Sequence, residues 1–288
     1  MKIGAILPQT EMSMDPQTLR EYAQAVEAMD YDFLAVFEHV VGADPAQYKD
    51  YRGPYTHKSS FHEPFVMFGY LAAFTQKLEL VTSIVILPQR QTVLVAKQAA
   101  EVDVLTGGRL RLGIGSGWNA VEYEALGQDF HVRGRRSVEQ IALMRALWTQ
   151  EVVTFNGRWD KITAAGINPM PVQRPIPIWL GGRAEPVLKR VGQLADGWFP
   201  QMPPDEDARQ LLERMRGYAR EAGRDPAKIG IEARVGARDS TPADWAKTAA
   251  AWEKLGATHI SMNTMGAGFT SLKQHLDALR RFHAVVKK

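Results

Sequence analysis

Three short runs carry the side chains best suited to chemistry: Glu38-His39, Gly113-Ile114-Gly115-Ser116-Gly117-Trp118-Asn119, and Gly181-Gly182-Arg183. An imidazole titrates nearest neutral pH, so His39 can give a proton to a bound substrate or take one from it. It can equally be a histidine that satisfies a backbone carbonyl at a strand end. Glu38, its neighbour in an extended segment, faces the opposite way and can hold an arginine at the same rim. In the second run, glycines let the backbone approach a flat or phosphorylated ligand, while Trp118 offers a wall and Asn119 both a donor and an acceptor. The alternative there is a tight turn with a core tryptophan. Gly181 and Gly182 precede a helix, where free N–H groups and the helix dipole seat a phosphate, and Arg183 favours an anion at that spot. Left-handed turn chemistry accounts for the two glycines equally well.

Other chemistries find less support. The chain has no cysteine, which excludes disulfides, thiolate metal sites and a cysteine nucleophile. Of the seven histidines, His39, His57, His62 and His131 show no spacing that sets two on one helix face, so no metal site is expected. Gly115-Ser116-Gly117 lacks the glycine spacing and the setting of a nucleophile elbow. Only Glu38 offers a carboxylate at the expected rim, which weakens glycoside hydrolysis. A net charge of +3 with scattered basic residues argues against nucleic acid and suits a small anionic ligand. With 45% apolar and 23% charged residues and no long uncharged run, the chain reads as an ordinary globule without a membrane segment. Met1-Lys2-Ile3-Gly4 enters a strand with no basic-then-apolar leader, so a cytoplasmic protein is expected.

The elements that must position these residues alternate. Strands are expected over 3–7, 33–37, 78–87, 110–114, 176–180, 196–200, 229–235 and 259–262, each followed by an amphipathic helix. Leu19, Tyr22, Ala23 and Val26 share one face of the first helix, and Val138, Ile141 and Trp148 are expected inward on a later one. Eight such alternations match an α/β protein of the (β/α)8 TIM-barrel class, one domain over 1–288. Insertions are expected after strands 2 and 4. The first is the Gly-, Pro-, Tyr- and His-rich loop 40–63; the second, about 150–174, has a hairpin turn at Phe155-Asn156-Gly157-Arg158-Trp159. In such a barrel the chemistry sits just past the strand ends, here Pro8, Glu38, His39, Ser83, Ser116, Trp118, Asn119, Gly181, Gly182, Trp198, Arg234 and Asn263. A phosphate seat, an aromatic wall and an apolar barrel mouth together suit a flavin-like cofactor.

Several segments resemble the luciferase-like monooxygenase superfamily, and within it the coenzyme F420-dependent oxidoreductases. They are Gly113 to Asn119 with Glu122 and Leu126-Gly127; Arg133-Gly134-Arg135-Arg136; Val153-Thr154-Phe155-Asn156-Gly157; Pro175-Ile176-Pro177-Ile178-Trp179-Leu180-Gly181-Gly182; and Ala195-Asp196-Gly197-Trp198. The resemblance implies a TIM barrel whose C-terminal mouth binds a flavin or deazaflavin. It assigns Ser83 and Ile84 to a bulge with a non-proline cis peptide that backs the ring, and His39 to proton transfer near the hydride centre. Phosphate binding falls to Gly181 and Gly182, with Arg183 beside them, and Ser116, Gly117, Trp118 and Asn119 complete the cofactor seat. The activity implied is hydride transfer between coenzyme F420 and a small organic substrate; the alternative is an FMN-dependent monooxygenase using reduced flavin and O2. A separate flavin or F420 reductase and a homodimer are further implications. Sugar-phosphate dehydrogenases of the superfamily carry a glutamate where this chain has Ser116, so that activity is not expected.

Overall fold

The structure is a computed structural model that describes residues 1–13, 15–48 and 50–287. In chain order its elements are β1 (Lys2–Ile6), α1 (Pro16–Ala28), β2 (Phe33–Val36), α2 (Pro64–Ala72), β3 (Glu79–Thr82), β4 (Val85–Ile86), α3 (Thr92–Thr106), β5 (Leu110–Gly115), α4 (Ala120–Ala125) and α5 (Arg133–Thr149). They continue with β6 (Val153–Asn156), β7 (Lys161–Ala165), β8 (Ile178–Gly181), α6 (Glu185–Leu194), β9 (Gly197–Phe199), α7 (Glu206–Glu221), β10 (Gly230–Gly236), α8 (Pro242–Leu255), β11 (His259–Asn263) and α9 (Leu272–Val286).

Parallel pairing runs β1-β2-β3-β5-β8-β9-β10-β11 and back to β1, a closed barrel ringed by helices. This is the TIM barrel expected from the alternation. The third strand is not continuous over 78–87: it breaks after Thr82, and β4 resumes pairing with β5 two residues on. The described residues between β2 and α2 form no helix or strand, and the antiparallel β6–β7 hairpin stands between α5 and β8.

Local sequence explains the helices. Asp15 caps α1 by accepting the Thr18 N–H at 2.9 Å, Pro16 occupies its first turn, and Leu19, Tyr22, Ala23 and Val26 bury one face. Helix α3 stops at Gly107, whose φ of 69° is left-handed. In α5 the expected inward set is corrected at one position. Ile141 and Trp148 are buried, but Val138 is exposed, because Ser137, Gln140 and Ile141 take the inward face.

Most of the core lies between barrel and helices. Inside the barrel, Ile6, Phe33, Ala35, Val81, Trp179 and Phe199 form a second cluster. Beside them Arg111 is sandwiched between Phe33 and Trp179, 4.6 and 4.3 Å from their ring centres, and is paired with Glu232 at 2.7 Å and Glu79 at 3.0 Å. No described helix is long and apolar enough to cross a membrane.

Candidate active site at the barrel mouth

β2 ends at Val36, so the chain carries Phe37, Glu38 and His39 onto the rim. The His39 Nδ1 lies 2.9 Å from Oε1 of Glu122, 83 residues later. Asn119 makes this possible: its Oδ1 accepts the Val121 N–H at 3.2 Å and starts α4, placing Glu122 in the first turn. Glu122 is buried, with Oε1 also accepting the Val40 N–H at 3.1 Å and Oε2 accepting from Gln89 Nε2 at 3.3 Å. With the carboxyl group engaging Nδ1, Nε2 is left for a ligand. Tyr55, Phe61 and Trp118 pack around the imidazole, with ring centres 5.1, 4.9 and 5.8 Å away.

Glu38 points the other way and pairs with Arg90, which also reaches Glu63 at 2.9 Å. Its second oxygen accepts the Ile86 N–H at 2.7 Å. Burial pushes the Glu38 carboxyl above its usual range, and Arg90 opposes that shift. This anchors the break in the third strand, where the Ser83–Ile84 peptide is cis. The glycines of the mouth serve this segment. A Cβ on Gly115 would lie 1.9 Å from Ile84 Cδ1, and one on Gly117 would lie 2.7 Å from Ile86 Cγ2. The close approach anticipated for a ligand at these two glycines is thus made by two isoleucines.

At the far side of the mouth, α5 and α6 begin. Val132 and Ala184, at their N-termini, provide no side-chain cap; in the first turn of α6 Pro186 carries no N–H and the Val187 N–H donates to the Ala184 carbonyl at 2.8 Å. Gly182, with φ of 120°, forms the turn, and its carbonyl accepts from Trp198 Nε1 at 2.7 Å. Arg133 opens α5 and lies 3.6 Å over the Phe130 ring, while Arg190 of α6 donates to the Gly134 carbonyl at 3.1 Å. Burial, and secondarily the charge of Arg133, holds the Arg190 guanidinium below its usual pKa. Two neighbouring cations at two uncapped helix N-termini are the donor set a phosphate group requires.

These walls enclose a cavity of about 640 Å³, a size suited to a cofactor. Eleven residues expected at the mouth line it: Glu38, His39, Ser83, Ile84, Ser116, Gly117, Trp118, Gly181, Gly182, the exposed Arg183 and Arg234. Asn119 does not. It is 3% exposed and lies on the outer side of Trp118, its side chain committed to starting α4. Glu122, Arg133 and Arg190 were not among the candidates, although Glu122 and Arg133 stand in motifs that the sequence displays. Arg190 carries no local signal, being one of several charges on an amphipathic helix.

The model of the family described as luciferase-like monooxygenase matches residues 1–284. An uncharacterized protein of Mycobacterium tuberculosis is 33% identical over 210 residues, 70% of this chain and 71% of its own length. An FMNH2-dependent dimethylsulfone monooxygenase of Pseudomonas putida is 32% identical over 183 residues, 62% of this chain and 50% of its own length. Among solved structures, an F420-dependent secondary alcohol dehydrogenase in complex with an F420-acetone adduct superimposes with a TM-score of 0.79 at 18% identity, covering 100% of this chain and 99% of its own. With a cavity of this construction and a match over nearly its full length, the chain belongs to the luciferase-like monooxygenase family, whose members are flavin- or F420-dependent oxidoreductases and monooxygenases.

Proposed function

We propose that the protein is an F420-dependent oxidoreductase acting on a small organic substrate, with His39 managing the proton. The observation that carries this reading is the buried Glu122 carboxylate on Nδ1 of an imidazole that faces the cavity. Bound deazaflavin would supply hydride chemistry at its ring carbon. Arg133, Arg190 and Arg183, with the Gly181–Gly182 turn that leads into α6, would hold its phosphate. Ser83, Ile84, Gly181 and Trp118 would line its ring. His39 would donate a proton from Nε2 as the imidazolium to a substrate being reduced, or accept one there as the neutral ring from an alcohol being oxidised, while Glu122 keeps the ring in the orientation this requires. Tyr55, Phe61 and Trp118 would exclude water from that exchange.

The same seat takes FMN, and the similarity to a dimethylsulfone monooxygenase favours an FMN-dependent monooxygenase as the second reading. Under either reading we infer a cytoplasmic homodimer supplied with reduced cofactor by a separate reductase. The exposed Val66 of α2 and Leu94 and Leu105 of α3 support a second copy as their cover. Titration of the purified protein with F420 and with FMN, followed by tryptophan quenching, decides between the cofactors. Tight FMN binding without any response to F420 overturns the first reading.

A further inference from the structure

Arg234, in β10, sends its guanidinium across the barrel mouth, where Nη2 donates to Ser83 Oγ at 3.1 Å. Ser83 follows β3, which lies diametrically opposite β10 in the ring of strands. The guanidinium therefore spans the centre of the cavity floor rather than its edge. It lies 4.8 Å over the Phe37 ring.

Unlike Arg90 and Arg111, Arg234 has no direct ion pair. Arg90 has Glu38 and Glu63, and Arg111 has Glu232 and Glu79. Among the described residues no carboxylate forms a salt bridge with Arg234; Glu232, two residues before it, pairs through Oε2 with Arg111 and acts on Arg234 only through space. Its Nε is buried without a hydrogen-bond partner. Burial holds this guanidinium below its usual pKa, and Arg234 in turn acts on the phenol of Tyr55, which lines the same cavity. A desolvated cation without a direct ion pair is costly, and a planar fork of N–H donors matches a planar anion.

We propose that Arg234 is a seat for a planar anion, either a substrate carboxylate or the anionic edge of a redox ring, separate from the phosphate seat at α5 and α6. Only the choice between these two sources rests on the cofactor reading above.

The test begins with ligand-free protein, titrated calorimetrically with benzoate and with its neutral analogue benzamide. Benzoate is expected to bind about tenfold more tightly or better. That preference should vanish in Arg234→Gln, shrink in Arg234→Lys, which keeps the charge and loses the fork, and persist in Arg190→Gln. Circular dichroism checks the folding of each variant, and the Lys variant carries the test if the Gln variant fails to fold. Equal binding of the two probes, a preference that survives both Arg234 substitutions, or one that disappears in Arg190→Gln overturns the proposal. Repeating the titration with cofactor present separates the sources. Continued benzoate binding assigns the seat to a substrate carboxylate, whereas competition, with weaker cofactor binding in Arg234→Gln, assigns it to the ring edge. Failure of both F420 and FMN to bind would overturn the cofactor reading and leave the benzoate result standing.

Discussion

A proton-transfer group needs a fixed orientation as well as a suitable acid strength, and His39 receives its orientation from Glu122. Replacing His39 with alanine is expected to lower turnover by about 10²–10⁴-fold with a much smaller change in cofactor affinity, because the phosphate seat lies on other elements. Glu122→Gln keeps an acceptor for the Val40 N–H but offers an amide that can turn either its oxygen or its NH₂ toward the imidazole. Its kcat should fall by about 10²-fold, the cost of a misplaced reacting group. Glu122→Leu should be worse, and steady-state kinetics with saturating cofactor ranks the three proteins. Equal kcat in wild type and Glu122→Gln would show that the carboxylate does not govern His39.

Elements hold these side chains through contacts that leave little slack. At Gly113 in β5 an added Cβ would lie 1.9 Å from the Thr82 carbonyl oxygen and 2.8 Å from the Phe199 ring. The Gly113 carbonyl also accepts from Thr82 Oγ1 at 2.7 Å. Gly113→Ala should therefore destabilise the barrel by about 1–3 kcal/mol, the usual cost of overpacking, measured by denaturant unfolding. Asp15→Ala removes the cap of α1 and should cost about 1 kcal/mol; Asp15 does not line the cavity. Strands and helices were readable from apolar periodicity and turn residues because burial imposes both. The interruption at Ser83–Ile84 was not readable from periodicity, since 78–87 is apolar on both sides of the break; the family resemblance supplied it. Val138 was misassigned because α5 carries Ser137 and Gln140 on its buried face, where their hydrogen bonds replace apolar contact.

For the molecule as a whole, the buried His275 and the half-buried His259 set a pH dependence. Burial brings His275 down to about 4 and His259 down to about 3, the latter also opposed by Arg111. The unfolded chain binds protons at both near pH 6.5 while the folded chain does not, so stability is full above that pH and falls as the pH drops toward these values. Thermal unfolding between pH 7 and 4.5 should show a declining midpoint. His275→Asn, whatever its stability at pH 7, should flatten the decline; an unchanged slope would remove His275 as its source.

The sequence alone determined the alternation, and with it the barrel and the set of strand tips at its mouth, because each strand and helix is encoded by a periodicity spanning a few residues. Tertiary structure decided which tips meet. His39 and Glu122 are 83 positions apart, Arg234 reaches Ser83 only once opposite strands are brought round a closed ring, and Asn119 was turned away from the cavity by its role at the start of α4. Ile84 and Ile86 take the space beside Gly115 and Gly117 that a Cβ would occupy. Such contacts depend on side-chain direction after closure, a property of the assembled barrel that no local pattern records.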